Sequence, residues 1–280
     1  MPEVIIADEA GACYGVERAL RLVSEAAEGT GGAIHTLGPL IHNPSVVSSL
    51  EERGVTVVFD PAVEAGSTLV LRTHGVTPQV EQAARNAGAT VLDATCPFVK
   101  RAHRAAERLE REGYQVIVVG ERGHPEVEGT VGHASTSTVV TSARELDSLE
   151  LSRKVGVVVQ TTQSKDNLRA VVSALVGRVD ELLVVDTICE ATAGHQEACA
   201  RLARAVDAMV VIGGRNSANT THLADIARTH CPATHHIETP DELEAAWLVG
   251  AERIGITAGA STPASQIEEV RRAICELMEG

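Results

Sequence analysis

Short apolar runs rich in β-branched residues recur along the whole chain: EVIIA (3–7), AIHTL (33–37), VTVVF (55–59), TLVLR (68–72), ATVLD (89–93), YQVIVVG (114–120), KVGVVVQ (154–160), ELLVVD (181–186), AMVVIGG (208–214) and RIGIT (253–257). Between most of them the apolar positions switch to a helical period, as in VERALRLVSEAAE (16–28), PQVEQAARNAG (78–88), KRAHRAAERLERE (100–112) and SQIEEVRRAICELME (265–279). Strands this apolar are buried on both faces, and their alternation with helices predicts an α/β fold with mainly parallel sheets. Helix starts are marked by a capping residue followed by proline at Asn43-Pro44, Thr77-Pro78, Thr239-Pro240 and Thr262-Pro263.

A weak internal repeat organises these elements. Cys13, Cys96 and Cys189 each follow closely on a predicted strand and precede a predicted helix, and two share a local pattern, VLDATC (91–96) and VVDTIC (184–189). Three pseudo-repeated α/β units, each offering one thiol from the carboxyl end of a strand, account for this. The expected boundaries are 1–96, with the segment from about 262 to 280 packing back on it, then 97–189 and 190–261. Ligands of open parallel sheets bind at the carboxyl ends of strands, so the three thiols can meet there.

Composition narrows the functional classes. With 24 Lys and Arg against 38 Asp and Glu, a net charge of -14 and only five aromatic residues, the chain lacks the basic stripes and stacking rings of a nucleic-acid binder. No apolar run approaches the roughly 18 residues of a membrane span, and MPEVIIADEA carries acids where an export signal carries bases. The expectation is a soluble cytoplasmic protein, bound neither to nucleic acid nor to membrane, whose six cysteines stay reduced. Their spacing contains no C-x-x-C, which excludes zinc ribbons and ferredoxin-type runs.

Other polar residues occupy the same strand-to-helix turns. His42 lies in PLIHNP, His74 in THGV, His124 and Glu126 in GHPEVEG, Thr161 in QTTQS, Ser217 and Asn219 in RNSANTTH, and Ser261 in AGASTP. Any one alone reads as a helix cap. Together they are rich in donors and poor in fixed charge, a set suited to a phosphate or diphosphate held by neutral groups and helix ends. No nucleotide-binding glycine motif accompanies them. Three thiolates allow two metal centres: zinc completed by a histidine, or an iron-sulfur cubane with one iron left open. Cys199 and Cys275, inside amphipathic helices, and Cys231, before Pro232, read as bystanders.

The segments GACYGVERA (11–19), HN (42–43), THGV (73–76), DATCP (93–97), GHPEVEGT (123–130), QTT (160–162), RNSAN (215–219) and TAGAS (257–261) occur in an order that resembles the 4-hydroxy-3-methylbut-2-enyl diphosphate reductase family, the LytB-type iron-sulfur reductases of the methylerythritol phosphate pathway to isoprenoids. The resemblance implies a trefoil arrangement of three α/β units around one 4Fe-4S cluster held by Cys13, Cys96 and Cys189. It implies an allylic diphosphate substrate whose oxygen meets the open iron, and two single-electron transfers that release water and form isopentenyl and dimethylallyl diphosphate. His42, His74, His124, Thr161, Ser217, Asn219 and Ser261 would bind substrate, and Glu126 with His124 and Thr161 would handle protons. Beside an anionic ligand the pKa of Glu126 would rise, as a proton donor requires. Glu128, two residues on, reads as a helix-start carboxylate.

Two positions depart from the family pattern. Ala218 stands where a second serine is usual, and Ala12 where an aromatic residue precedes the first cysteine. The alternatives are a non-catalytic iron-sulfur redox sensor, for which Ala218 speaks, and a zinc phosphohydrolase with three cysteine ligands. The intact Glu126, His124 and Thr161 favour turnover. The electron donor implied is reduced ferredoxin or flavodoxin, and Arg101, Arg104, Arg108 and Arg111, along one helix face, could receive an acidic carrier.

Overall fold

Every apolar run named above forms a strand in the computed structural model, which describes residues 2–29 and 32–279. Met1, Thr30, Gly31 and Gly280, which the expected boundaries include, lie outside the described residues. Among the described residues, twelve strands form three four-stranded sheets, and every pairing within them is parallel. The chain divides into two compact units.

The first unit comprises residues 2–14, 42–44 and 190–279. Its sheet runs β1 (Glu3–Ile6), β12 (Arg253–Ala258), β10 (Ala208–Ile212), β11 (Thr234–Ile237). The period of two along β10 sorts its side chains. Met209 and Val211 pack with Leu202 of α7 (Glu190–Ala203) and Leu223 of α8 (Ala218–His230), whereas Val210 and Ile212 pack with Ile267, Val270 and Ile274 of α9 (Ala264–Glu279).

The second unit comprises residues 15–41 and 45–189 and holds two sheets. One runs β3 (Val55–Val58), β2 (Ile34–Leu37), β4 (Thr68–Leu71), β5 (Thr90–Asp93), and the other β7 (Thr138–Val140), β6 (Gln115–Val119), β8 (Lys154–Val159), β9 (Glu181–Val185). Ile117 and Val119 face Leu168, Val171 and Leu175 of α6 (Lys165–Leu175). Val116 and Val118 face Leu109 of α4 (Pro97–Arg111) and Val127 of α5 (Pro125–Val131). The remaining helices are α1 (Tyr14–Gly29), α2 (Pro44–Glu52) and α3 (Pro78–Asn86), the last capped by Thr77, whose hydroxyl accepts from the Val80 N–H at 3.3 Å.

The expected partition differs from the observed sheets at the amino terminus. EVIIA heads the first predicted unit, yet β1 pairs with β12, so the stretch bearing Cys13 belongs by hydrogen bonding to the sheet of β10 to β12, on which α9 packs. The reason is that β12 offers a parallel edge with matched register, Val4 against Ile254 and Ile6 against Ile256. Two strands carry too weak a pattern to be read in advance. β7 has three residues in a Ser/Thr-rich stretch, and β11 reads THHI; both are edge strands, where polarity is tolerated. Thr239-Pro240 opens a 3₁₀ turn, Pro240–Glu242, in place of a full helix.

One buried hydroxyl ties the second unit together. Thr187 Oγ1 accepts from the Val159 N–H at 3.0 Å and donates to the carbonyl of the same residue, closing β8 against the turn before Cys189. Thr187→Val keeps the shape and orphans that N–H, so stability falls by about 1–3 kcal/mol. Urea denaturation measures it; an unchanged midpoint would mean that the strand end is held by packing alone.

Candidate active site

The repeated Asp three residues before Cys96 and Cys189 has a structural purpose. Asp93 Oδ1 accepts the Thr95 N–H at 2.9 Å, and Asp186 Oδ1 accepts the Ile188 N–H at 3.0 Å. Each carboxylate thus folds the strand end into an Asx turn that sets the next cysteine at a helix start. Burial raises the Asp93 pKa, but Lys100, which it pairs with, and the Thr95 hydroxyl and N–H outweigh this, so the carboxyl lies below its usual range. Cys96 caps α4, and its N–H donates to Thr73 O at 2.9 Å; the Cys189 N–H donates to Thr161 O at 3.1 Å. Thr73 is itself anchored, its hydroxyl donating to Leu40 O at 2.9 Å. THGV, DATCP, QTT and VVDTIC are therefore bonded in pairs through their backbones.

The candidate acid-base residues lie in the same unit. His124 caps α5 with its ring: Nδ1 accepts from the Glu126 N–H at 3.1 Å, which in the neutral imidazole leaves the proton on Nε2. Glu126 is 2 % exposed, and both its oxygens are engaged by Thr161, Oε1 by the N–H at 2.6 Å and Oε2 by the hydroxyl at 2.8 Å. Desolvation raises its pKa to about 7 against the two Thr161 hydrogen bonds, with the Glu121 charge adding to the rise. The carboxyl can thus gain or lose a proton near neutrality. His74 lies edge-on to His124, ring centroids 5.5 Å apart. Glu128 is exposed on the first turns of α5, as expected of a helix-start carboxylate.

In the first unit the candidate residues ring the carboxyl ends of β1, β10 and β12. Cys13 follows β1, and its N–H donates to Ala260 O at 3.1 Å; Gly11, at φ +91°, makes the turn before it. Ser217 caps α8, its hydroxyl accepting from Thr220 N–H at 3.3 Å, and Ala218 begins the helix. Asn219 is 3 % exposed, and neither its Oδ1 nor its Nδ2 has a hydrogen-bond partner. A buried amide left unsatisfied on both atoms points to a polar ligand. The amide of Asn43, which follows His42 in sequence, donates to Ser261 O at 2.9 Å and to Gln266 Oε1 at 3.0 Å and so fixes the Ser261 turn. Asn43 acts here as a clamp, a role its Asn-Pro dipeptide gave only as a helix start. Gly214 admits the His42 backbone closely: a methyl there would lie 2.7 Å from His42 O.

The six cysteines separate by environment. Cys13, Cys96 and Cys189 are part-exposed at strand ends, and no disulfide is present among the described residues. Cys199 is buried in α7, donates to Leu223 O at 3.4 Å, and burial pushes its pKa to about 12. Burial also raises Cys231, at the end of α8. Thiolates are the ligands of zinc and iron-sulfur centres, so these two are poor candidates. Cys275 lies within α9. No helix among the described residues is long and apolar enough to cross a membrane.

Known proteins are similar to the chain over nearly its whole length. The chain is 49% identical over 270 residues to a 4-hydroxy-3-methylbut-2-enyl diphosphate reductase of Geobacter sp. (strain M21), covering 96% of this chain and 95% of that one. It is 43% identical to the enzyme of that name from Aquifex aeolicus (strain VF5), covering 100% and 98%. Among solved structures, one described as (E)-4-hydroxy-3-methyl-but-2-enyl diphosphate reductase, the terminal enzyme of the non-mevalonate pathway, matches with a TM-score of 0.74 at 43% identity over 99% of this chain and 100% of its own. The Plasmodium falciparum E-1-hydroxy-2-methyl-but-2-enyl-4-diphosphate reductase matches with a TM-score of 0.92 at 27% identity, covering 97% and 87%. The model of the LytB protein family matches residues 4–275, a span that contains every strand-end motif described above, and the chain belongs to the LytB family.

Proposed function

We propose that the protein is the reductase of 4-hydroxy-3-methylbut-2-enyl diphosphate, forming isopentenyl diphosphate and dimethylallyl diphosphate in the cytoplasm. Two electrons and two protons enter; the C4–O bond breaks, one proton leaves with the oxygen as water and the other ends on carbon. The observation that carries the reading is the buried Glu126 carboxyl, held by Thr161 and titrating near 7. A proton donor for this chemistry needs those properties.

Cys13, Cys96 and Cys189 fit one 4Fe-4S cluster, being part-exposed thiols that each lie at the turn between a strand end and a helix, whereas Cys275, also part-exposed, lies inside α9. When bound, that cluster supplies electrons singly and polarises the leaving oxygen. The diphosphate falls to Ser217, Asn219, Ser261, His42 and His74, with the unsatisfied Asn219 amide as the strongest indication. His124 donates through Nε2, and Glu126 delivers its proton along the Thr161 hydroxyl to the substrate side. Ala218 offers no hydroxyl, so the chain relies the more on Asn219.

Reduced ferredoxin or flavodoxin is the electron source. Arg101, Arg104, Arg108 and Arg111 are exposed on α4; Arg101 donates to Asp186 O, one residue from the Thr187 turn, and Arg108 pairs with Glu112 at 3.9 Å. This face suits an acidic carrier.

Anaerobic purification followed by iron and sulfide analysis and a reductive assay tests the reading. A brown protein absorbing near about 400 nm that turns over the diphosphate supports it. A colourless zinc protein, or an iron-sulfur protein inert towards the substrate, would overturn it. Asn219→Ala should raise KM about 10- to 100-fold, the value of a hydrogen bond to a charged group, with iron content unchanged.

A further inference from the structure

Behind the turns that carry His74 and Glu126 lies a histidine that the proposed chemistry does not use. His103 sits on α4, which Cys96 caps, and is 6 % exposed. Its ring fills the space that side chains at two glycines would occupy. A methyl group on Gly75, whose φ is +72°, would lie 2.6 Å from His103 Cε1, and one on Gly129 would lie 3.2 Å from His103 Nε2. Gly75 follows His74 directly, and Gly129 is on α5, three residues past Glu126. The two glycines also approach each other, since the Gly129 methyl would stand 3.6 Å from the Gly75 carbonyl carbon.

The second face of the ring is covered as well. His133 stacks on His103 with centroids 4.1 Å apart and 22° between planes. His133 Nδ1 is 2.8 Å from Gly129 O and, facing a carbonyl, must donate. His103 Nε2, by contrast, has no hydrogen-bond partner. Burial, with His133 and Lys100 adding to it, lowers the pKa of His103 to about 3, so the ring is neutral throughout the physiological range. A buried imidazole that is neutral and bonds nothing through Nε2 contributes its shape.

We infer that His103 is a positioning residue: its ring is a wedge that sets the THGV turn against α5, and so the place of His74 relative to His124 and Glu126. The kinetic part of this rests on the reductase reading, and the exchange measurement below does not.

The test uses the full-length, cluster-loaded protein. His103→Ala is expected to lower kcat/KM about tenfold and to speed amide hydrogen exchange in residues 73–77 and 124–131, leaving the β8 strand protected as before. Pyrazole, a ring of the same size and a far weaker base than imidazole, should restore both properties as well as imidazole does, with wild type as the control for each additive. Gly129→Ala crowds the site that His103→Ala empties, so the double variant should retain more activity than the product of the two single losses. The inference is overturned if exchange rises uniformly across the second unit, if kcat and KM stay within twofold of wild type, or if imidazole rescues and pyrazole does not. Should wild type itself fail to reduce the diphosphate, the reductase reading falls, and local exchange with its rescue still decides the wedge.

Discussion

Glu126→Gln is expected to lower kcat by about 10²- to 10⁴-fold, the usual contribution of a positioned general acid, while the cluster content stays at the wild-type value. The amide is isosteric and can still accept the Thr161 N–H, so α5 and the β8 end keep their arrangement. A second readout separates proton donation from structure. Glu126 has a pKa of about 7 in the folded protein, raised from 4.5 by desolvation. Below 4.5 the carboxyl is protonated in both folded and unfolded chains and its burial in neutral form is fully stabilising relative to higher pH. Between 4.5 and 7 the unfolded chain releases its proton while the folded one retains it, so stability is lost progressively, to a total on the order of 3 kcal/mol above pH 7. Glutamine has no such dependence. Melting curves of the two proteins should therefore diverge in favour of Glu126→Gln as pH rises from 4.5 to 7 and run parallel beyond it. Parallel curves throughout, or a variant with wild-type turnover, would remove Glu126 from the proton path.

The strands were legible because parallel sheets bury both faces, which leaves continuous apolar runs such as VIVV and VVIG that no other element explains. β7 and β11 were not, because edge strands need no such run; His236 of β11 finds its partner in Gly213 O at 2.8 Å and His235 stacks on Trp247, contacts made only in the folded chain. The partition of Cys13 was hidden for a related reason. Sequence neighbours suggest one unit, whereas β1 is recruited by β12 about 250 residues away through backbone register that leaves no mark on composition. The candidate site residues were legible to the extent that each follows the end of a strand. Their supports were not: Asn43, Thr73 and Thr187 act through one or two hydrogen bonds each to groups distant in sequence, and any Asn or Thr in a turn looks the same in one dimension. The Asp of VLDATC and VVDTIC is the exception, since its repetition announced a shared turn before the turn was seen.

Replacing Cys13, Cys96 or Cys189 with serine is expected to abolish turnover and to reduce iron well below the about four atoms of an intact cubane, whereas Cys199→Ala, Cys231→Ala and Cys275→Ala should keep both. The division follows from what a ligand must be, a thiolate at the surface of a cavity. The three strand-end cysteines are part-exposed, and backbone hydrogen bonds from Cys13, Cys96 and Cys189 to Ala260, Thr73 and Thr161 fix where each side chain starts. Cys199, with its pKa pushed to about 12, is a protonated thiol at neutral pH, packed with Leu202, Met209 and Leu223. Its alanine variant should lose stability to the cavity and nothing in iron. Cys231 donates towards Asp207 O at 3.5 Å and is likewise raised by burial. Iron retained by a serine variant of the triad would refute the ligand set. Iron lost from Cys231→Ala or Cys275→Ala, in protein that still melts cooperatively, would show that a fourth thiol takes part, and the open coordination position on which the proposed reduction depends would then not exist.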